Sequence, residues 1–423
     1  MKENVILFLV LTCYSSPRLI ASFAMSDWEE FRLSHAEFAN VRIDAIQAMA
    51  SSSRDGMKCT VSEKVLSGSE NVAFKVVFAD NVEWVCRIHR DAADTAPVYN
   101  VAKVESTVAT MRYIKCNSTI PVPTIYAYKS RDVSPGLGTG YIMMEFLYGQ
   151  EVDMSPSSLS SSEETQVYHQ LANVVRKLSQ LRFPKIGRIF ETSEGVFDIG
   201  PFVDRQGVSH GPFDTSAEYF KFEAESIRAK HNRWLYGRPA NATEDDVMRS
   251  QIVCGLYDQL ASQLSDYDSP GAFPLSHGDL GTHNLLFSRD EAGRLLLTGV
   301  VDWDFAHASS WCDFGQWPAL LEIRWPTLEA GRYSEFVLES IRRKQRIFLD
   351  GIRNQRRNDS NEDNKDGSKF PQLLDVIDTP PVRMAEFLLN YSDPYYRVDE
   401  DLLLKYVKQW KKDWNCRGAH NKI

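Results

Sequence analysis

The stretch from Ser276 to Trp303, SHGDLGTHNLLFSRDEAGRLLLTGVVDW, constrains this chain more than any other. It holds His277-Gly278-Asp279, an asparagine five residues after that aspartate (Asn284), and an apolar strand, Leu295 to Val301, that delivers Asp302. Asp and Asn are common turn residues, so turn capping could account for Asp279 and Asn284. It would leave a second carboxylate at the end of an apolar strand unexplained. Phosphoryl transfer needs this set: one carboxylate to position and deprotonate an acceptor hydroxyl, with an amide oxygen and a second carboxylate to hold the Mg²⁺ that offsets charge on the phosphate oxygens. The fold must therefore bring Asp279, Asn284 and Asp302 from separate backbone segments to one cleft floor.

The pattern H-G-D-x-x-x-x-N followed by V-V-D-W-D resembles the aminoglycoside phosphotransferase family, the small-molecule branch of the protein-kinase-like fold. The resemblance runs from about Val61 to about Pro318, and Gly211-Pro212-Phe213 to Tyr219 resembles a stretch of fungal members. It implies an α+β, two-lobed protein-kinase-like fold: a small antiparallel-sheet N-lobe (25–148) for the nucleotide and a larger, mainly helical C-lobe (149–423) for catalysis and the acceptor. It also implies transfer of the γ-phosphate of ATP, or of GTP, to a small-molecule hydroxyl. Asp279 would act on that hydroxyl, Asn284 and Asp302 would hold Mg²⁺, and His277 would brace the loop without moving a proton.

Within the N-lobe the apolar period changes to two. Val72, Phe74, Val76 and Phe78 alternate with polar neighbours, as do Val82, Trp84, Cys86 and Ile88 after the Ala79-Asp80-Asn81 turn, so antiparallel strands are expected. The polar loop before them, with Ser67, Gly68 and Ser69, stands where the resemblance folds a hairpin over the nucleotide phosphates; alone it reads as an ordinary turn. Strand pleat puts Val85 and Arg87 on one face and Cys86 and Ile88 on the other. By resemblance Val85 roofs the base and Arg87 reaches the α and β phosphates, a place the family gives to lysine. Arginine keeps the charge but is longer and planar, so the two are not equivalent. Val101, Val104, Val108, Met111 and Ile114 then recur at helical spacing around Glu105. The resemblance makes Glu105 the partner of the phosphate-reading cation; a solvated helix glutamate is the alternative. Ser134-Pro135-Gly136-Leu137-Gly138-Thr139-Gly140 imitates a dinucleotide loop, but a strand pattern follows it where that fingerprint needs a helix. That strand leads to an expected hinge, Glu145 to Gly149, whose backbone would read the adenine edge.

With 43% apolar and 25% charged residues over 423 positions, the chain has ordinary globular composition. Its net charge of −9 argues against sequence-independent nucleic-acid binding, which needs a basic face. Residues 1–24 contain an apolar run, Val5 to Leu11, that looks like a short secretory signal and is too short to span a membrane. The seven cysteines are odd in number and lack framework spacing, and Met25 opens a polar, helix-forming stretch. A cytoplasmic protein with an early start codon is the expectation, with secretion the alternative.

In the C-lobe, Ser160-Ser161-Ser162-Glu163-Glu164 offers overlapping capping boxes before a helix carrying Val167, Leu171 and Leu178. A further helix pattern spans Val247 to Leu264. Asp313-Phe314-Gly315 copies the kinase metal triplet without a strand before it, so Asp302 takes the metal role and Asp313 is expected to bond the catalytic-loop backbone. Residues 353–369 are nearly devoid of apolar side chains and are expected to form a mobile insertion. Leu402 to Trp414 reads as a helix that packs on the lobe or meets a partner. Two other functions compete: a nucleotide-binding scaffold without turnover, favoured by Arg87 and the single-glycine loop, and a protein kinase, opposed by Gly278 and the missing Ala-Pro-Glu segment. The sequence leaves oligomeric state and acceptor identity open.

Overall fold

A computed structural model describes residues 25–68, 70–90, 95–131, 137–155, 158–236, 272–318, 321, 334–358 and 373–377. Ser69, the signal-like residues 1–24, the helix patterns at 247–264 and 402–414, and residues 359–369 of the expected insertion lie outside them. The described residues form helices and antiparallel sheets, an α+β chain. They group into two compact units, one from Met1–Lys177, Gly187–Pro212 and His277–His307, the other from Leu178–Ile186, Phe213–Ser276 and Ala308–Ile423. The grouping does not divide at 148/149, and it joins the catalytic loop to the amino-terminal sheet.

The first unit begins with β1 (Met25–Asp27), α1 (Trp28–Ser34), α2 (Ile43–Ser52), β2 (Cys59–Ser67), β3 (Asn71–Phe78) and β4 (Glu83–His89). After α3 (Pro97–Asn117) come β5 (Ile125–Lys129) and β6 (Tyr141–Glu145). The strands make one six-stranded antiparallel sheet in the order β1-β2-β3-β4-β6-β5. Period-two patterning is the cause: Phe74, Val76, Cys86 and Ile88 share one apolar cluster with Trp28, Phe38 and Ile46. Trp28 meets Phe74 edge-on at 5.0 Å. The stretch opening at Met25 is thus more than a polar helix. Met25 pairs with Leu66, Asp27 caps α1 by accepting from the Glu29 amide at 3.0 Å, and Trp28 and Phe31 are buried. Burial of each large apolar side chain contributes about 1.5–3 kcal/mol, so this segment is an integral cover of the sheet.

Helix α4 (Ser161–Gln180) starts with the expected capping box: the Ser160 amide donates to Glu163 at 2.8 Å, and the Glu163 amide to Ser160 Oγ at 3.3 Å. Strand β7 (Arg182–Phe183) follows, then the hairpin β8 (Arg188–Ser193) and β9 (Val196–Gly200), the short pair β10 (Phe202–Val203) and β11 (Ser209–His210), and α5 (Ser216–Tyr236). In the second unit β12 (Phe273–Ser276) pairs with β7, and the short α6 (Trp311–Phe314) is capped by Ser310. The chain continues through α7 (Glu335–Asn358) and α8 (Leu373–Val376). Residues 353–358 are the carboxy-terminal turns of α7, so the start of the expected mobile insertion is helical. Among the described residues no helix is long and apolar enough to cross a membrane, and Cys59, Cys86 and Cys116 form no disulfide. Strand β6 follows Gly140 directly, as argued against a dinucleotide loop.

Candidate active site

The loop His277–Asn284 ends in a single 3₁₀ turn, Thr282–Asn284, and runs into the hairpin β13 (Leu285–Arg289) and β14 (Leu295–Val300). Register does the positioning: Leu285 pairs with Val300, and the Val301 amide donates to Asn284 O at 3.0 Å, so Asn284 and Asp302 flank the base of one hairpin. Asp302 leaves the strand with φ +63°, a left-handed backbone that costs about 1 kcal/mol or more for a non-glycine residue and concentrates at functional sites. His277 Nε2 donates to Val301 O at 3.0 Å, and its ring lies 4.4 Å from that of Trp303. Burial lowers the His277 pKa to about 4, so the ring is neutral and bound through its Nε2–H. Gly278 has φ +79° and passes so close to Phe305 that a Cβ would sit 2.4 Å from the Phe305 carbonyl oxygen.

Asn284 Nδ2 donates to Asp279 O at 2.7 Å and, more loosely, to Asp279 Oδ2 at 3.3 Å. That turns Asn284 Oδ1 away, and this atom is buried with no hydrogen-bond partner; the same holds for Asp302 Oδ2. A buried acceptor left unmade costs about 1–3 kcal/mol, and here both belong to the residues expected to hold a divalent cation. The electrostatics agree. Burial, aided by the carboxylates of Asp304 and Asp279, raises the Asp302 pKa well above the usual range despite the opposing pull of Arg87. A divalent cation would reverse that balance. No group of three His, Cys, Asp or Glu side chains is disposed to hold a metal among the described residues, and the donors here are one carboxylate and one amide. Asp279 itself is 20% exposed, with His283 Nε2 3.5 Å from its Oδ2.

On β4 the pleat is as expected: Cys86 and Ile88 enter the apolar cluster, while Val85 and Arg87 occupy the opposite face, both buried. The guanidinium of Arg87 bridges two carboxylates, NH2 to Asp302 Oδ1 at 3.0 Å and NH1 to Asp304 Oδ1 at 2.6 Å. Burial opposes its charge, but Asp304 and Asp302 outweigh burial and raise its pKa. Lys103 of α3, equally buried, pairs with Glu70 at 2.9 Å and lies 3.6 Å from Asp304. Asp304 is held ionised: burial would raise its pKa, and Arg87 with Lys103 overcomes this and drives it far down.

The expected pairing of Arg87 with Glu105 is corrected. Glu105 accepts from Ser130 Oγ at 2.9 Å, and the α3 residues that reach the Arg87 cluster are Lys103 and Thr107, the Thr107 hydroxyl donating to Asp304 Oδ1 at 3.1 Å. Helix phase is the reason. At about 100° per residue, Glu105 points to the far side of α3 from both Lys103 and Thr107. Asp304, Lys103, Thr107 and Asn71 were missed; the available signals were the Asp-Trp-Asp doublet and the polar stripe Asn100, Lys103, Thr107 at helical spacing. Ser67 ends β2 and the Gly68 amide donates to Asn71 O at 2.9 Å. The Glu145 amide donates to Thr124 O at 2.8 Å and its carboxylate accepts from Thr124 Oγ1 at 2.7 Å. Asp313, placed in α6, accepts from Ser309 Oγ at 2.7 Å and Gln316 Nε2 at 3.0 Å.

An Asp, an Asn and an Asp are thus carried in that order on a loop and the hairpin after it, in the same unit as the buried Arg87. The chain belongs to the phosphotransferase enzyme family APH, which it matches over residues 62–334. It is 27% identical over 317 residues to clavilactone A biosynthesis cluster protein Y of Ampulloclitocybe clavipes, covering 72% of this chain and 71% of that protein. It is 30% identical over 136 residues to a subtelomeric hrmA-associated cluster protein of Aspergillus fumigatus, covering 32% of this chain; the match spans only 26% of that relative's length. Among solved structures it is similar to amicoumacin kinase hAmiN in complex with AMP-PNP, Ca²⁺ and Ami, with TM-score 0.42 and 14% identity over 92% of this chain and 94% of that one. It is also similar to macrolide 2′-phosphotransferase MphH from Brachybacterium faecium, with TM-score 0.40 and 14% identity over 82% and 91% of the two chains.

Proposed function

We propose that the protein transfers the γ-phosphate of ATP to a hydroxyl of a small molecule in a Mg²⁺-dependent reaction. The observation that carries this reading is the pair of buried, unpartnered oxygens, Asn284 Oδ1 and Asp302 Oδ2, at the base of the hairpin beside Asp279. Asn284 and Asp302 would hold the cation, which when bound supplies charge neutralisation at the phosphate oxygens. Asp279, partly exposed and anchored through its own carbonyl by Asn284, orients the acceptor and takes its proton. The acceptor oxygen forms the new O–P bond as the bond from the γ-phosphorus to the β–γ bridging oxygen breaks. The proton passes to Asp279 and ADP leaves. His277, neutral and tied to Val301, fixes the loop and exchanges no proton.

A scaffold without turnover is favoured by one observation, the engagement of the Arg87 fork by Asp302 and Asp304, which leaves this cation less free for phosphate. Acceptor-dependent ADP release separates the two readings. Its acceptor panel starts with hydroxyl-bearing specialised metabolites, given the kinship with a clavilactone cluster protein, and includes amino alcohols, sugars and antibiotics. Release that rises with one acceptor and requires Mg²⁺ supports the enzyme; release indifferent to every acceptor supports the scaffold.

A further inference from the structure

Asp304 gathers more of the first unit than any residue of the catalytic set. Its carboxylate accepts from Arg87 NH1 of β4 at 2.6 Å, Asn71 Nδ2 at the head of β3 at 3.0 Å, and Thr107 Oγ1 of α3 at 3.1 Å, with Lys103 Nζ at 3.6 Å. Asp304 is buried, and its backbone carbonyl accepts from Arg188 at 2.7 Å. It stands two residues from Asp302, and the two carboxylates share one guanidinium. Arg87 reaches only Oδ1 of Asp302, leaving Oδ2 without a partner. A guanidinium is a flat fork whose preferred partner is both oxygens of one carboxylate. Held by Asp304 on one side, this fork cannot close on Asp302.

We propose that Asp304 is a positioning residue that holds Arg87 off the second oxygen of Asp302 and so keeps that oxygen open to the cation. In the same bonds it takes the place of a helix glutamate as anchor of the strand cation, α3 contributing Thr107 and Lys103 in its stead. The inference rests on the reading of Asn284 and Asp302 as cation ligands. Without Asp304 the Arg87 fork turns onto both Asp302 oxygens, and a cation must displace it.

The test uses Mn²⁺ as a paramagnetic probe, titrated into the full chain without nucleotide and read by electron paramagnetic resonance, beside urea unfolding without metal. Asp304→Asn is expected to bind Mn²⁺ at least tenfold more weakly than wild type. The double variant Arg87→Gln/Asp304→Asn, equal in charge to wild type, is expected to return to within about threefold of it. Glu70→Gln, which removes a charge from the same cluster at Lys103, controls for charge alone and is expected to change affinity less than threefold. The proposal is overturned if Asp304→Asn binds as wild type does, if Glu70→Gln loses as much as Asp304→Asn, or if the double variant stays weak, which would make Asp304 a direct ligand. If Asp304→Asn does not fold, the double variant set against wild type carries the test with the same two outcomes. Wild type and Asp302→Ala binding Mn²⁺ alike would instead sink the cation reading itself, and this proposal with it.

Discussion

Replacing Gly278 by alanine should damage both the fold and the chemistry, and the structure fixes the scale. The left-handed backbone, φ +79°, costs a non-glycine residue about 1–2 kcal/mol. The added Cβ would meet Phe305 at 2.4 Å from its O, 2.7 Å from its Cβ and 2.8 Å from its C, where ordinary contact begins at 3.4 Å. The shortfall at the oxygen, 3.4 minus 2.4, is about 1 Å. It falls on backbone, so the segment running from Asp302 to Phe305 must move away from the catalytic loop. Relief of such overlap typically costs about 1–3 kcal/mol, giving a total of about 2–5 kcal/mol. Gly293 supplies the control: it shares the conformation, φ +77°, and a Cβ there meets nothing within 4 Å. Gly293→Ala should lose only the backbone part. In urea unfolding at neutral pH, Gly278→Ala should therefore be less stable than Gly293→Ala, and only Gly278→Ala should lose turnover, by about 100-fold for a displacement near 1 Å. Equal stability of the two variants would refute the close-approach argument.

His277 predicts an acid limb in stability. Its folded pKa of about 4 lies below the ordinary 6.5, so the unfolded chain binds more protons between these values. Its contribution is complete above pH 6.5, is lost as pH falls toward 4, and amounts to about 3 kcal/mol; His277→Gln, which can still donate to Val301 O, should flatten this part of the profile in urea titrations at several pH values. If the variant keeps the wild-type slope, His277 is not the group responsible. Asp302→Ala should weaken Mg²⁺-dependent ATP binding in calorimetry, whereas Asp313→Ala should lower stability by about 1–2 kcal/mol through its lost bonds to Ser309 and Gln316 and leave metal affinity intact. The reverse pattern would exchange the two assignments.

Much of the site was legible because it is local. Asp279, Asn284 and Asp302 lie on one loop and the hairpin that follows, so spacing along the chain nearly dictates spacing in space. The sheet was equally open to reading, since alternation at Val72–Ile88 sorts core from site face without knowledge of any partner. The network around Arg87 was not. Asp304 meets Asn71, Arg87 and Thr107 across 233, 217 and 197 residues, separations at which no periodicity carries information. The resemblance points to Glu105 by its place in the chain, whereas helix phase sets Asn100, Lys103 and Thr107 on one stripe and Glu105 on another. That Thr124 engages the Glu145 amide is likewise a tertiary fact, since the two residues stand far apart along the chain.

The central claim is that Asp279 acts on the acceptor and not on the nucleotide. Asp279→Asn is nearly isosteric and can still accept a hydrogen bond, so what it removes is basicity and charge. ADP release with and without acceptor, measured beside ATP binding on the same preparations, tests this directly. ATP affinity should stay close to wild type while acceptor-dependent turnover falls by about 10²- to 10⁴-fold. Equal, acceptor-independent traces for wild type and Asp279→Asn across the panel would contradict the account and leave a nucleotide-binding scaffold.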